Sequence, residues 1–160
     1  MKTKILFVCL GNICRSPAAD GVMKRLVEDL YPYSDEWEID SAGIGSWHAG
    51  QLPDRRMREC GAHRGYMFDH RARQVTRADF DRFDYIIGMD EENLYDLRRL
   101  APSHEAAKKI LCLADYLQHF PGQKTVPDPY YGQARDFEFA LDLIEDACEG
   151  LLKQLLPPQR

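Results

Sequence analysis

Two chemically reactive side chains, Cys9 and Arg15, are separated by five residues near the start of the chain. A thiol becomes a nucleophile where positive charge and hydrogen-bond donors favour its thiolate, and a guanidinium presents a planar pair of donors that fits a tetrahedral oxyanion. The intervening residues include Gly11 and Asn12, which tolerate backbone angles that most residues avoid. We therefore expect residues 10–15 to form a tight loop around an anion, with Cys9 at its floor and Arg15 at its rim.

The loop lies between a predicted strand and a predicted helix. Residues 5–8 are apolar and partly β-branched, as in a strand covered on both faces. Ser16 followed by Pro17 is typical of a helix start, with the hydroxyl as the cap. A loop that leads into a helix N-terminus points its N–H groups inward and favours phosphate. The loop residues expected to bind phosphate are Leu10, Gly11, Asn12, Ile13, Cys14 and Arg15.

The spacing of these two residues has an alternative interpretation. A cysteine and an arginine six positions apart could be a core thiol and a solvated charge, and this pattern alone is weak. The apolar strand before the loop, the Gly-Asn pair inside it and the Ser-Pro pair after it favour the functional interpretation.

Composition and length predict one globular domain over residues 1–160. Hydrophobic residues make up 44% of the chain and charged residues 29%, as in ordinary folded domains. The net charge of −5 argues against a nucleic-acid or membrane-surface binder. The apolar run at residues 5–10 is too short for a signal-peptide core or a membrane span. Five irregularly spaced cysteines indicate reduced thiols in a cytoplasmic protein, and no spacing predicts a metal or another cofactor. We expect a monomer.

Strands and helices alternate along the chain. The pattern predicts helices over residues 17–30, 53–59 (ended by Gly61), 76–83, from 90 onward and 136–156, with strands over residues 5–8, 37–42, 85–89 and 109–113. The arginines of residues 55–58 are expected to form a solvated face, although one of them could contact an acidic substrate. Such alternation predicts a three-layer α/β fold, flavodoxin-like, with a four-stranded parallel sheet in the order 2-1-3-4 and helices on both faces. The end of the first strand then lies at the switch point where ligands bind.

A second candidate for chemistry is the segment Val126 to Gly132, in which prolines stand on both sides of Asp128 and two tyrosines follow. Cleavage of a phosphate ester requires a proton donor for the leaving oxygen, and a carboxylic acid can supply it. These residues alone are equally compatible with an ordinary proline turn. Trp47, in a glycine-bearing loop, is likewise either a partly packed surface residue or a functional one.

Residues 8–17, Val-Cys-Leu-Gly-Asn-Ile-Cys-Arg-Ser-Pro, resemble the signature loop of the low-molecular-weight protein tyrosine phosphatases, and further matches span nearly the whole chain. The resemblance implies hydrolysis of phosphotyrosine monoesters in proteins through a cysteinyl-phosphate intermediate. Inorganic phosphate or similar oxyanions are the implied small ligands. Cys9 is the implied nucleophile, Arg15 the phosphate clamp and Asp128 the general acid and then base.

The resemblance also implies supporting roles. Asn12, Ser41 and His70 resemble the hydrogen-bond network that holds the loop asparagine, and His70 lies in a stretch that carries a buried structural histidine in the family. Ser16 is expected to donate a hydrogen bond to the thiolate as it leaves. Asp90 is expected to orient the loop arginine.

Trp47, Tyr130 and Tyr131 are candidate walls of the substrate cleft. A nucleophile at the bottom of a narrow aromatic cleft favours phosphate on a long flat ring over phosphoserine. Either tyrosine could instead be a surface residue with no role, or a phosphorylation target.

Cys14 lies five residues after Cys9 in the same curved loop, close enough for a disulfide to form. One interpretation is redox protection, in which oxidised Cys9 is captured by Cys14 before irreversible oxidation. The alternative is that Cys14 only packs.

Three other functions share features with this sequence. Arsenate reductases share the fold and the Cys-x5-Arg loop but use two further cysteines just past residue 80, and residues 79–90 contain none. Arginine phosphatases of the same family carry threonine in place of Ile13. A non-catalytic phosphate-binding module should have lost the nucleophile or the acid, and this chain retains both Cys9 and Asp128.

Overall fold

The computed structural model describes residues 2–33 and 35–155, which form an α/β sandwich. Its elements in chain order are β1 (Thr3–Cys9), α1 (Arg15–Leu30), β2 (Trp37–Gly43), α2 (Arg55–His63), α3 (Asp79–Arg82), β3 (Tyr85–Gly88), α4 (Glu91–Leu100), α5 (His104–Ala107), β4 (Ile110–Cys112), a 3-10 turn (Leu113–Tyr116) and α6 (Ala134–Leu155). The strands are parallel and ordered β2-β1-β3-β4. The predicted fold class and strand order are confirmed.

β1 is the buried centre of the sheet. Ile5 and Phe7 pack on the face covered by α1 and α6, whereas Leu6 and Val8 pack on the face covered by α3, α4 and α5. All four side chains are fully buried. A strand with helices on both faces must be apolar at successive positions, which explains the continuous apolar run in the sequence.

The carboxyl ends of three strands meet at one edge of the sheet. Cys9, the last residue of β1, pairs with Gly43 of β2, and Val8 pairs with Gly88 of β3. The segment before Asp128 reaches the same edge, because Val126 N–H donates to the carbonyl of Met89 at 2.8 Å. This edge is the switch point at which open α/β sheets bind ligands.

The predicted start of α1 was wrong by two residues. The helix begins at Arg15, and the residue before it, Cys14, provides no side-chain cap. Ser16 does not cap the helix because its hydroxyl is hydrogen-bonded to Cys9 and Asn12.

Gly61 does not end α2, which continues to His63. A Cβ atom at Gly61 would lie 2.4 Å from the ring of Phe68, so glycine is required there for packing. The sequence pattern also missed α5 and the 3-10 turn. The predicted end of the last helix, residue 156, lies outside the described residues. Within the described ranges, no helix is both long and apolar enough to cross a bilayer.

Gly150 marks a close approach between α6 and the 3-10 turn, since a Cβ atom there would lie 2.0 Å from the carbonyl oxygen of Tyr116. In an exposed helix, alanine is more stable than glycine by about 1 kcal/mol. Overlap with a backbone atom outweighs that gain, so we expect Gly150→Ala to lower the free energy of unfolding in urea by about 2 kcal/mol. Gln154→Ala, on the exposed side of α6, is the control and should change stability by less than about 0.5 kcal/mol. A more stable Gly150→Ala protein would contradict this account.

Candidate active site

The loop between β1 and α1 lines a pocket of about 330 Å³. Cys9 is 3% exposed, so its sulfur lies deep in the molecule. The other loop residues predicted to bind phosphate that line this pocket are Leu10, Gly11, Ile13, Cys14 and Arg15. Asn12 does not line it, because its side chain is buried behind the loop.

Asn12, and not Gly11, adopts the left-handed backbone conformation, with a φ of 58°. Gly11 has a different role, because a Cβ atom there would lie 3.0 Å from the ring of His48. Gly43 packs against the same turn, since its Cβ would lie 3.0 Å from the Asn12 nitrogen. The loop can therefore be tight because neither Gly11 nor Gly43 has a side chain at these close contacts.

The Asn12 side chain is the centre of a hydrogen-bond network. The backbone N–H of Arg73 can only donate, and it donates to Asn12 Oδ1 at 3.0 Å, which fixes the orientation of the amide. His70 Nε2 lies 3.2 Å from the same oxygen. Asn12 Nδ2 then donates to Ser16 Oγ at 2.7 Å and to Ser41 Oγ at 3.1 Å. The structure thus brings together the residues that the resemblance assigned to this network.

The directions of these hydrogen bonds leave one hydroxyl hydrogen available for the sulfur. Ser16 Oγ accepts from Asn12 and lies 3.0 Å from Cys9 Sγ, closer than its 3.4 Å distance to the carbonyl of Ala42. The Ser16 backbone N–H also faces Cys9 Sγ, at 3.4 Å. A thiolate at Cys9 would therefore be met by two donors from one residue.

His70 is only partly buried, which corrects the expectation of a buried histidine. Its side chain is 18% exposed, and Nδ1 lies 3.6 Å from Asp20 and 3.5 Å from Asp40. Asp20 also pairs with Lys24 at 2.8 Å, and Asp40 pairs with Arg73 at 3.0 Å. Burial raises the pKa of the Asp20 carboxyl against the opposing effect of Lys24.

Among the described residues, Asp20, Asp40 and His70 are the group whose geometry could hold a metal, with ligand atoms within 4.8 Å of one another. Each carboxylate already has a cationic partner, Lys24 for Asp20 and Arg73 for Asp40. We therefore interpret the group as the support that orients the histidine of the network.

Arg15 is not at the rim of the loop, as the sequence had suggested, because it is 1% exposed. Its Nη1 donates to Asp90 Oδ2 at 2.6 Å and to the carbonyl of Val126 at 2.9 Å. Its Nε is buried without a hydrogen-bond partner, and Nη2 lies 3.6 Å from Asp128 Oδ2. Burial alone would lower the pKa of Arg15, but the charges of Cys9 and Asp90 raise it above its ordinary value.

Asp90 is itself held in place. Its Oδ1 accepts from the backbone N–H of Asn93 at 2.8 Å, which caps α4. Both carboxylate oxygens are therefore occupied, one by the helix and one by Arg15. This geometry can orient the guanidinium so that its Nε–Nη2 edge is available to an oxyanion.

Aromatic residues surround the mouth of the pocket. Trp47 is 68% exposed and Tyr131 is 96% exposed. The rings of Tyr130 and Tyr131 meet edge to face with centroids 5.0 Å apart. His48 was not among the predicted site residues, although it lines the pocket and its ring lies 6.3 Å from that of Tyr130. Its position next to Trp47 was the signal that could have identified it.

The loop conformation should depend on the Asn12 side chain, which makes four hydrogen bonds. Asn12→Gly keeps the left-handed backbone without these bonds, and Asn12→Ala adds backbone strain. We expect both variants to bind inorganic phosphate about tenfold or more weakly in calorimetric titrations. In urea unfolding, Asn12→Ala should be less stable than Asn12→Gly by about 1 kcal/mol. Parent-like phosphate binding in both variants would mean that the loop needs no such support.

Comparison with known proteins identifies the family. The family model for low molecular weight phosphotyrosine protein phosphatase matches residues 4–159. The protein of that name from Sus scrofa is 42% identical over 94% of each chain, and a low molecular weight protein-tyrosine-phosphatase from Streptomyces coelicolor is 43% identical over 95% of this chain and 93% of its own. The crystal structure of a protein tyrosine phosphatase from Entamoeba histolytica with Hepes in the active site has a TM-score of 0.91 and 44% identity, covering 96% of this chain and 97% of that one. The chain therefore belongs to the low molecular weight phosphotyrosine protein phosphatases.

Proposed function

We propose that this phosphatase hydrolyses phosphotyrosine in proteins by two successive displacements at Cys9. One observation carries the proposal. A buried thiol and the buried Arg15, whose Nε has no hydrogen-bond partner, border the same pocket. A buried guanidinium N–H without a partner is costly unless a ligand accepts from it. A phosphoryl group has the charge and the oxygen geometry to do so.

In the first step, the Cys9 thiolate attacks phosphorus in line, so that an S–P bond forms while the P–O bond to the tyrosine breaks. Arg15 and the loop N–H groups stabilise the equatorial oxygens. Protonated Asp128 gives its proton to the departing phenolate. The distance of 3.6 Å between Asp128 and Arg15 Nη2 supports this role, since it puts the acid beside the phosphoryl site.

In the second step, water attacks the phosphorus of the cysteinyl phosphate and the S–P bond breaks. Asp128, now a carboxylate, accepts a proton from the water, and inorganic phosphate is released. Ser16, 3.0 Å from Cys9 Sγ, donates its hydroxyl hydrogen to the leaving thiolate. Since Ser16 accepts from Asn12 at 2.7 Å, its hydrogen is directed away from the asparagine.

The depth of the nucleophile supports phosphotyrosine as the substrate. Cys9 is 3% exposed, so a phosphate on the short serine side chain would not reach it as easily as one on a phenyl ring. Trp47, Tyr130 and Tyr131 line the pocket and offer aromatic surface to that ring. We infer that the substrates are phosphotyrosine-containing proteins.

The roles of Cys9 and Asp128 predict different kinetic losses. Cys9→Ser should abolish turnover of phosphotyrosine peptide and p-nitrophenyl phosphate in the presence of a chelator. Asp128→Ala should lower kcat/KM for the peptide by about 10²- to 10⁴-fold. Its loss with p-nitrophenyl phosphate should be smaller, because that leaving group needs less help from a proton.

Cys112→Ser, at a buried thiol outside the pocket, is the control and should retain parent activity. An inactive parent under reducing conditions that still binds phosphate would indicate a non-catalytic binding module. Faster cleavage of phosphoarginine than of phosphotyrosine peptide would contradict the substrate assignment.

We further propose that Cys14 protects the nucleophile from oxidation. Both thiols border the pocket, and Cys14 is 3% exposed. Peroxide would convert the Cys9 thiolate to a sulfenic acid, and Cys14 would then attack that sulfur, forming a disulfide and releasing water. Burial raises the pKa of the Cys14 thiol, and the negative charges of Asp54 and Cys9 raise it further. Only the smaller contribution from Cys9 disappears when Cys9 becomes a neutral sulfenic acid.

Cys14→Ser should be inactivated by peroxide irreversibly. We expect the parent to regain most of its activity after treatment with dithiothreitol, and Cys14→Ser to regain about tenfold less after the same exposure. Cys60→Ser, at a buried thiol that donates to Glu138, is the matched control and should recover like the parent. Full recovery of Cys14→Ser would show that Cys14 only packs.

A further inference from the structure

Arg56, in the first turn of α2, is exposed as predicted, with 44% of its side chain accessible, but it also makes specific contacts. Its Nε and Nη2 donate to the two carboxylate oxygens of Asp54 at 3.0 and 2.9 Å, and Nη2 also donates to the carbonyl of Tyr130 at 3.0 Å. The guanidinium lies 4.5 Å from the ring centroid of Phe137 and 5.4 Å from that of Tyr130. These contacts fix the plane of the group from several directions.

Asp54 connects this guanidinium to the phosphate loop, residues 10–15. Its backbone N–H donates to the carbonyl of Ile13 at 2.7 Å. Its carboxylate caps α2 by accepting from the Arg56 N–H at 2.8 Å. Burial would raise the pKa of Asp54, but its hydrogen bonds to Arg56 lower it, so the pair stays charged over the neutral range.

Tyr130 connects the guanidinium to the proposed acid. Its backbone N–H donates to Asp128 Oδ1 at 3.1 Å, while its carbonyl accepts from Arg56. The backbone N–H of Tyr130 is therefore bonded to the Asp128 carboxylate, and its carbonyl is bonded to α2. Within residues 2–33 and 35–155, the bond from Arg56 is the one hydrogen bond that links residues 127–132 to another part of the chain. The Asp128 side chain is 37% exposed, and it also lies 3.6 Å from Arg15 Nη2.

We propose that Arg56 is a positioning residue that holds residues 127–132, the Asp128 loop, against the phosphate loop. The path of contacts runs from Ile13 through Asp54 and Arg56 to Tyr130, whose N–H orients Asp128. This inference rests on the proposed role of Asp128 as the general acid. Loss of Arg56 would free the acid to move away from the leaving oxygen while the nucleophile and Arg15 keep their places. Proton donation should therefore suffer, and nucleophilic attack should not.

The test compares two aryl phosphates whose leaving groups differ in basicity. Phenyl phosphate needs a proton donor, whereas 2,4-dinitrophenyl phosphate releases a phenolate that is stable without one. The readout is kcat/KM, which covers the steps through cleavage of the P–O bond. We expect Arg56→Gln to lower it about 10- to 100-fold for phenyl phosphate and less than about threefold for the dinitrophenyl ester.

Two further variants at the helix start serve as references. Arg56→Lys keeps the charge but cannot bond Asp54 and Tyr130 through a planar fork, so its loss should be intermediate. Arg55→Gln is the matched control, since Arg55 is 80% exposed and pairs with Glu59, and it should behave like the parent. In an Asp128→Ala background, Arg56→Gln should cause little further loss, because both changes remove one function.

The outcomes separate this inference from the proposed function. If Asp128→Ala shows no dependence on the leaving group, the role of Asp128 as the acid is wrong. If Asp128→Ala shows it and Arg56→Gln lowers kcat/KM equally for both esters, or not at all, the positioning role is overturned. Thermal unfolding of each variant identifies a folding defect, and Arg56→Lys then supplies the kinetic comparison.

Discussion

The geometry of the site depends on the hydrogen bonds of one buried amide, that of Asn12. The Asn12 backbone is left-handed, a conformation that costs free energy for any residue other than glycine. Four side-chain hydrogen bonds offset that cost. Because the Arg73 N–H fixes the amide orientation, the directions of the other bonds follow. The hydrogen of Ser16 is thereby left for the sulfur of Cys9. A single backbone donor in a distant segment thus influences the nucleophile through two intervening side chains.

The same loop requires a buried positive charge. Removal of a guanidinium from water costs several kcal/mol unless partners replace the water, and Asp90 and the carbonyl of Val126 replace it at Nη1 of Arg15. Nε has no partner and Nη2 lies 3.6 Å from Asp128, and in the proposed mechanism this edge binds the phosphoryl oxygens. Donors that are already oriented where charge develops do not have to be reorganised during the reaction, which is the main source of electrostatic catalysis in such sites.

The chemical groups come from two loops with different restraints. The phosphate loop is tied to the sheet, to α1 and to the network around Asn12, and most of its side chains are buried. The Asp128 loop is more exposed and is attached through Val126 at one end and through Tyr130 in its middle. In the proposed mechanism Asp128 acts first as an acid and then as a base, so it benefits from one stable position beside the phosphoryl group in both steps. The contacts of Arg56 are suited to hold it there.

The amino-acid sequence by itself determined the fold class, the strand order and the identity of the family, because apolar periodicity and the Cys-x5-Arg loop are local patterns. It also located Cys9 at the end of a buried strand. It did not reveal that Arg15 is buried, that Ser16 faces the sulfur and does not cap α1, or that Gly61 makes room for Phe68 within α2. Only the tertiary structure decided these points, and it alone brought Arg56 to Tyr130, 74 residues further along the chain. The physical reason is that the orientation of a side chain depends on partners from distant segments, which meet only after the sheet and its helices have packed.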